Sequence, residues 1–492
     1  HRIVAEERLP FPFATAVNET MGDPKKPLRE RTNFKLIVVS LVIGFLFQTT
    51  YGLLQLVVPT IPQIWPVGWG GWMYYDLGPT IGLGIMNMMF LFTCSSFLAY
   101  VALWFLIPTK ILFSAELAVL VWYFLLPAAE TVTGLVPNVA SFGLYDVFPT
   151  FITLWGTLGG PWGTTGIQIF LMILLGVPLG VIIAYMTLSA KTIGGSFKAA
   201  LRNEKTGPFS SRLLWLGLIA SLAVLAAMLA LNEISILSIV SFIFLWLMLS
   251  QLGNRLRGES TRYGYDCWSV IGTTSVYMAT MGEAGSVGAY RTMSIGVQTF
   301  IVPNTGSWYL LEGFRLCEMN NTRSTWRGLV IATIVATVVS YILLNVIFIY
   351  GAYTYGFLVR WPAQYLAPHG DQLGLYIYNP SLGIYTYAPA AINMGRDLWI
   401  GIAVGLIITV LSYMLPWFPI HPVGFALGGF SPWVLNFWFQ ALIALIVRVL
   451  VLKIGGSDLY EKKAVPVAIG LIMGYALCQI AYGAAITIKV LA

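Results

Sequence analysis

FKLIVVSLVIGFLFQTTYGLLQLVVP, residues 34–59, is apolar almost throughout, and Lys35 is its only charged residue. The hydrocarbon layer of a bilayer takes about 20 apolar residues of helix. A stretch this apolar has no polar face to turn to water. The same pattern recurs near 79–107, 109–128, 164–188, 212–231, 234–253, 327–352, 399–416, 431–452 and 465–489. Residues 264–304 are apolar but dotted with Gly, Ser and Thr, and read as one broken span or a re-entrant hairpin. The pattern predicts an all-α polytopic membrane protein with about 10–12 transmembrane segments. It divides the chain into a polar connection at 1–33, a first transmembrane half at 34–263, a broken or re-entrant linker at 264–326 and a second half at 327–492.

Composition agrees with this division. Of the 492 residues 58% are hydrophobic and 10% charged, against about 25% charged in ordinary soluble domains. Only lipid lets such a chain turn apolar side chains outward. The 17 Trp and 25 Tyr suit rings parked at both headgroup layers. The net charge of +7 comes from short clusters between apolar runs, which fits contact with anionic lipid rather than nucleic acid. Lys25, Lys26, Arg29, Arg31 and Lys35 form one cluster. Lys191, Lys198, Arg202, Lys205 and Arg212 form a second, and Arg255, Arg257 and Arg262 a third. All three fall on one side when crossings are counted, and that side is expected to be cytoplasmic. Arg448, Lys453, Lys462 and Lys463 reach the same side only if 417–430 makes an extra partial crossing.

The four cysteines show no CxxC spacing and the three histidines are far apart, so neither a disulfide framework nor a metal site is expected. No cofactor motif and no catalytic signature stands in the chain. Residues 1–33 contain no signal peptide and no initiator Met, and read as a connection that follows earlier helices.

Two stretches resemble each other. LGPTIGLGIMNMMFLFTCSSFLAYVALWFLI starts at Leu77, and IHPVGFALGGFSPWVLNFWFQALIALIVRVL at Ile420. In each, a proline (Pro79, Pro422) opens a Gly-rich segment too short to span a bilayer, and a long apolar helix follows. Paired interrupted segments point to a transporter's substrate site, because freed backbone groups survive where they line a wet cavity. That reading makes Gly82, Gly84, Asn87, Ser95, Gly424, Gly428, Gly429, Asn436 and Gln440 substrate-binding candidates. The alternative is that these glycines only let helices pack closely, and that the amides join helices.

These same residues carry a family resemblance. ERLPFPFATAVNETM from Glu7, DLGPTIGLGIMNMMFLFTCSSFLAY from Asp76 and WFPIHPVGFALGG from Trp417 resemble segments of the oligopeptide transporter superfamily. The last is most similar to a prokaryotic branch with a HPVGYA-type motif followed by a basic, GG-containing loop, here LKIGGSDLYEKKAVP. The resemblance runs along the whole chain. It implies a secondary transporter with repeated halves in a prokaryotic cell membrane, moving small peptides or metal chelates with protons. It also implies N-terminal helices that this sequence lacks.

Three ionisable residues are candidates for proton coupling. Glu116 lies two turns inside 109–128, where a carboxylate is functional by default unless it pairs with Lys110. Glu283 and Arg291 flank the Gly/Ser/Ala-rich turn of GEAGSVGAYR, and line either a polar cavity or a surface loop. His421 precedes Pro422, as a proton site or a structural donor. Glu312, Arg315 and Glu318, spaced by three, read as a charged surface stripe on an amphipathic helix.

The expected function is secondary active transport of a small polar solute, with the bilayer and a small-molecule substrate as partners. The alternative is a structural subunit that works with other membrane subunits or a second copy of itself.

Overall fold

The structure is a computed structural model that describes residues 9–21, 34–51, 74–76, 91–93, 97–125, 128–129, 132–133, 166–204, 209–232, 234–260, 303–322, 325–355, 388–430 and 438–491. The chain is an all-α polytopic membrane protein. Its helices are α1 (Pro12–Met21), α2 (Phe34–Tyr51), α3 (Phe97–Phe105), α4 (Thr109–Val119), α5 (Gly166–Leu188), α6 (Ala190–Leu201) and α7 (Ser211–Leu231). They continue with α8 (Ile236–Glu259), α9 (Pro303–Met319), α10 (Trp326–Tyr355), α11 (Ala388–Met414), α12 (Pro422–Phe430), α13 (Trp438–Leu459) and α14 (Val465–Leu491). One short antiparallel pair, β1 (Tyr74–Asp76) with β2 (Leu91–Thr93), accompanies them.

Among the described residues, four helical stretches are long and apolar enough to cross a membrane: Ser211–Leu231, Ile236–Glu259, Trp326–Leu343 and Trp438–Tyr482. A fifth results if α5 and α6, bent by 58° at their junction, count as one span. The outer faces of α7 and α10 carry Leu213, Val224, Ile334 and Val338 in the open. In water such continuous apolar faces would associate; hydrocarbon tolerates them.

One sequence expectation changes and another holds. Residues 79–107 do not form one long helix, because Leu91–Thr93 pair in extended form with Tyr74–Asp76. Aromatic residues and Thr favour strand geometry, and the pairing gives partners to backbone groups that a broken helix frees. The GG-containing loop breaks the helix between two apolar runs, as the sequence predicts. α13 breaks at Gly456, where the backbone leaves helical geometry. A π-helical turn at Tyr460–Ala464 then leads into α14, and Tyr460 lies against Arg448, 12 residues earlier, which a continuous helix would hold about 18 Å away. Gly456 supplies a positive φ of 63° that glycine alone adopts freely, and Lys462 pairs with Asp458 across one turn at 2.6 Å.

The chain forms two compact units that cut across the linear partition. One holds Ala129–Arg257 and Tyr263–Phe418 with the first eight residues; the other holds Leu9–Ala128, Gly258–Arg262 and Pro419–Ala492. Each is built on glycines spaced by four, the separation that lets two helix backbones touch.

In the first unit α5 packs along α11. A Cβ at Gly176 would strike the carbonyl oxygen of Leu398, one at Gly180 that of Ile402, and one at Gly405 that of Val177. In the second unit α2 and α14 meet in the same way: a Cβ at Gly470 would strike the hydroxyl of Ser40, and one at Gly474 the carbonyl of Leu41. α12 lies on α4, with Gly424 against Ile111 and Gly428 against Ala115. Arg448 of α13 closes this unit. Its guanidinium donates to the Phe105 carbonyl at 2.6 Å and to the Thr109 hydroxyl at 3.0 Å, and lies over the Tyr460 ring. It thereby caps the end of α3 and holds the start of α4.

Gly428→Ala should destabilise the protein by about 1–3 kcal/mol, since the obstructing atom is backbone and cannot turn away. Gly217→Ala, where an added Cβ meets nothing within 4 Å, should be neutral or stabilising by up to about 1 kcal/mol. Unfolding in mixed detergent micelles measures both.

Candidate functional site

α12 spans nine residues, too few to cross a bilayer, as its sequence predicts. Pro422 opens it; its missing N–H and fixed φ suit a first helical position. The Phe425 N–H donates to the His421 carbonyl at 2.9 Å, which places His421 at the helix mouth. The backbone N–H of His421 donates to the Ser114 hydroxyl at 2.7 Å, and that hydroxyl donates to the Lys110 carbonyl at 2.7 Å. Ser114 thus pins the start of α12 to the first turns of α4.

The imidazole of His421 reaches a carboxylate. Its Nδ1 lies 3.6 Å from Oε2 of Glu259, the last residue of α8. The Glu259 side chain is 4% exposed and that of His421 24%. Two effects act against the Glu259 charge: removal from water, and its place at a helix C-terminus, where the macrodipole is negative. A proton on His421 would supply a positive charge that offsets both. The backbone around Glu259 is held firmly. The Phe11 N–H donates to the Gly258 carbonyl at 2.7 Å, and Leu9 and Phe11 cover Gly258. Phe11 is fully buried with a φ of 41°, which is unusual for an aromatic residue.

The other candidates divide. Gly424 and Gly428 are buried against the α4 backbone, so at these two positions the packing reading replaces the substrate-binding one. Gly429 follows them within α12. Gln440 is fully buried on α13, near Ala441 and Ala444. Glu116 has one carboxylate oxygen sealed from solvent with no hydrogen-bond partner. It stands two residues beyond Ser114, which turns it to another side of α4 than the one His421 meets. Gly82, Gly84, Asn87, Ser95, Glu283 and Asn436 lie outside the described residues.

Glu312 is not part of a surface stripe. It is 8% exposed and accepts a 2.8 Å hydrogen bond from Arg257. A buried guanidinium on α8 draws the carboxylate away from Arg315, its neighbour one turn on. Arg255 stacks on Tyr185 of α5, 3.6 Å from the ring centroid.

Sequence reasoning missed Glu259 and Ser114. Glu259 stands in NRLRGES, where two arginines invite a reading by net positive charge alone. A lone acid inside a basic run at the end of a span was the available signal. Ser114 gave none, since a serine in an apolar helix is common. Among the described residues no three His, Cys, Asp or Glu side chains converge as a metal site would require.

Residues 1–489 match a family of unknown function, DUF6785. No curated protein matches the chain.

Arg257→Ala should cost about 3–5 kcal/mol, because Glu312 would stay buried without its partner. The double replacement Arg257→Leu with Glu312→Leu should recover most of that loss. A double variant as unstable as the single one would mean that packing, rather than the stranded charge, sets the cost.

Proposed function

The chain belongs to the DUF6785 family, and we propose that it is a secondary active transporter that couples movement of a small polar solute to protons. The observation that carries this reading is the His421–Glu259 pair, its carboxylate buried, at the mouth of a helix too short to span the membrane. Ionisable groups inside membrane proteins are costly and mark proton relays and substrate paths. Short helices in transporters aim their positive N-terminal ends at anionic substrate groups.

The pair has two states of unequal stability. With a proton on the imidazole, His421 and Glu259 attract each other at 3.6 Å. Without it, Glu259 keeps a buried charge with a weaker partner, and the arrangement that buries it becomes less favourable. A proton arriving at His421 therefore favours the closed pair, and its departure favours an arrangement that hydrates Glu259. A solute whose anionic group docks at the α12 N-terminus competes for the same positive end. Glu116 is a second protonation site on α4, separate from the pair.

The resemblance to the oligopeptide transporter superfamily favours peptide-like solutes or metal chelates, and a prokaryotic cell membrane. The close packing of Gly424 and Gly428 on α4 supports a solute contact at the N-terminal end of α12 rather than along its length.

The test is uptake by proteoliposomes. Short peptides and metal chelates are offered with and without an inward proton gradient. Gradient-dependent accumulation is expected, with a loss of at least tenfold in His421→Gln and Glu259→Gln; solute exchange at equal pH should persist. Accumulation that ignores both substitutions would sink the proton role of the pair. No transport of either solute class, together with stable co-purification of other membrane subunits, would favour a structural subunit instead.

A further inference from the structure

α6 leaves the axis of α5 at 58° and turns three different faces to its surroundings. Ala199 and Ala200 are buried. Ile193, Phe197 and Leu201, spaced by four, form an apolar stripe, and Phe197 and Leu201 are 44% and 70% exposed. About a third of a turn round the helix, Lys191 and Lys198 form a basic stripe that Arg202 extends past the C-terminus. An apolar stripe left in the open beside a basic one marks a helix lying in a membrane interface.

α6 is fastened in this position. The Trp215 indole N–H donates to the Ser196 hydroxyl at 3.2 Å, and the Phe197 and Trp215 rings meet edge to face at 5.3 Å. Trp215 belongs to α7, whose neighbouring Leu213, Leu214 and Leu216 are also open. The apolar stripe of α6 thus continues into the hydrocarbon-facing surface of a span.

Charge decides what covers the basic stripe. Between Ser189 and Arg212 stand Lys191, Lys198, Arg202, Lys205 and Arg212 against Glu204 as the sole acid. Glu204 lies 3.9 Å from Arg202, with both side chains more than half exposed, so it neutralises little. Among the described residues no carboxylate pairs with Lys191, Lys198 or Arg212.

We infer that α6 is an in-plane helix docked on anionic phospholipid headgroups, with Phe197 and Leu201 in the acyl boundary and Lys191, Lys198 and Arg202 on the phosphates. An acidic protein face would match the charges but would leave Phe197 and Leu201 without a continuous apolar neighbour. Lipid satisfies both stripes at once.

The full chain is reconstituted with spin-labelled phosphatidylglycerol or phosphatidylcholine, and the motionally restricted lipid is measured. A preference for phosphatidylglycerol that weakens with salt is expected. It should fall at least about fivefold in Lys191→Gln/Lys198→Gln/Arg202→Gln, from roughly a fivefold effect per surface cation. Lys191→Arg/Lys198→Arg, which keeps the charge, should retain it. In parallel, a fluorophore on Leu201→Cys, compared with the parent chain treated alike, should be quenched by nitroxides on lipid tails. A phosphatidylglycerol preference unchanged in a triple variant of normal thermal stability overturns the inference. So does quenching of the Leu201→Cys label by aqueous iodide but not by lipid, which would turn this face to water or to a protein.

Discussion

Helices in lipid gain little from hiding apolar side chains from each other, because acyl chains are just as apolar. What holds them is close contact, and close contact between helix axes requires that nothing project from the facing backbone. The compact units are assembled on that constraint. Gly176, Gly180 and Gly405 seat α5 on α11; Gly470 and Gly474 seat α14 on α2; Gly424 and Gly428 seat α12 on α4. At each of these positions the atom a Cβ would meet is a backbone oxygen or a hydroxyl held to backbone. None can swing aside, so the glycines fix the register of each helix pair to within a fraction of a turn.

That register places the buried charges. α12 sits one turn along α4 from Ser114, and Ser114 can therefore hold the His421 N–H. His421 then stands where Glu259 can reach it. The stretch Arg255–Glu259 spends its side chains in the same economical way. Arg255 lies on an aromatic ring, Arg257 meets a carboxylate, Gly258 receives the Phe11 N–H, and Glu259 meets an imidazole. Arg257 and Gly258 are buried with hydrogen bonds, half-buried Arg255 has a ring contact, and Glu259 has a charge contact at 3.6 Å, which lowers the cost of removing each from water.

Membrane class, most helix positions and the shortness of the Pro422 segment were legible because they follow from runs of apolar residues and from proline and glycine, which act locally. Span limits such as 212–231 and 465–489 fall within a few residues of α7 and α14. The glycines were visible, but the choice between binding and packing depended on what faced them, and that is a property of the folded pair. Glu312 was misread for a related reason. Spacing of three predicts a partner on the same helix, whereas its partner comes from a residue 55 positions earlier. His421 could be suspected as a lone titratable group near the membrane. Glu259 was hidden by its arginines, since charge counting over a loop averages away the one acid that mattered.

The second unit joins residues before Ala128 to residues after Pro419, and Arg448 supplies the partner of the Phe105 carbonyl. Ribosomes add about 5–20 residues per second, so the start of this unit waits roughly 15–60 s for its end to be made. During that interval the end of α3 has no guanidinium, the Ser40 surface has no α14, and Ser114 has no His421 to receive. The first unit ends at Phe418, so it is complete only as the closing stretch of the second begins. Biogenesis of this chain is thus out of step with its sequence: the helices synthesised early are among the last to find their neighbours, and something in the membrane or its insertion machinery must shelter their small-residue faces until then.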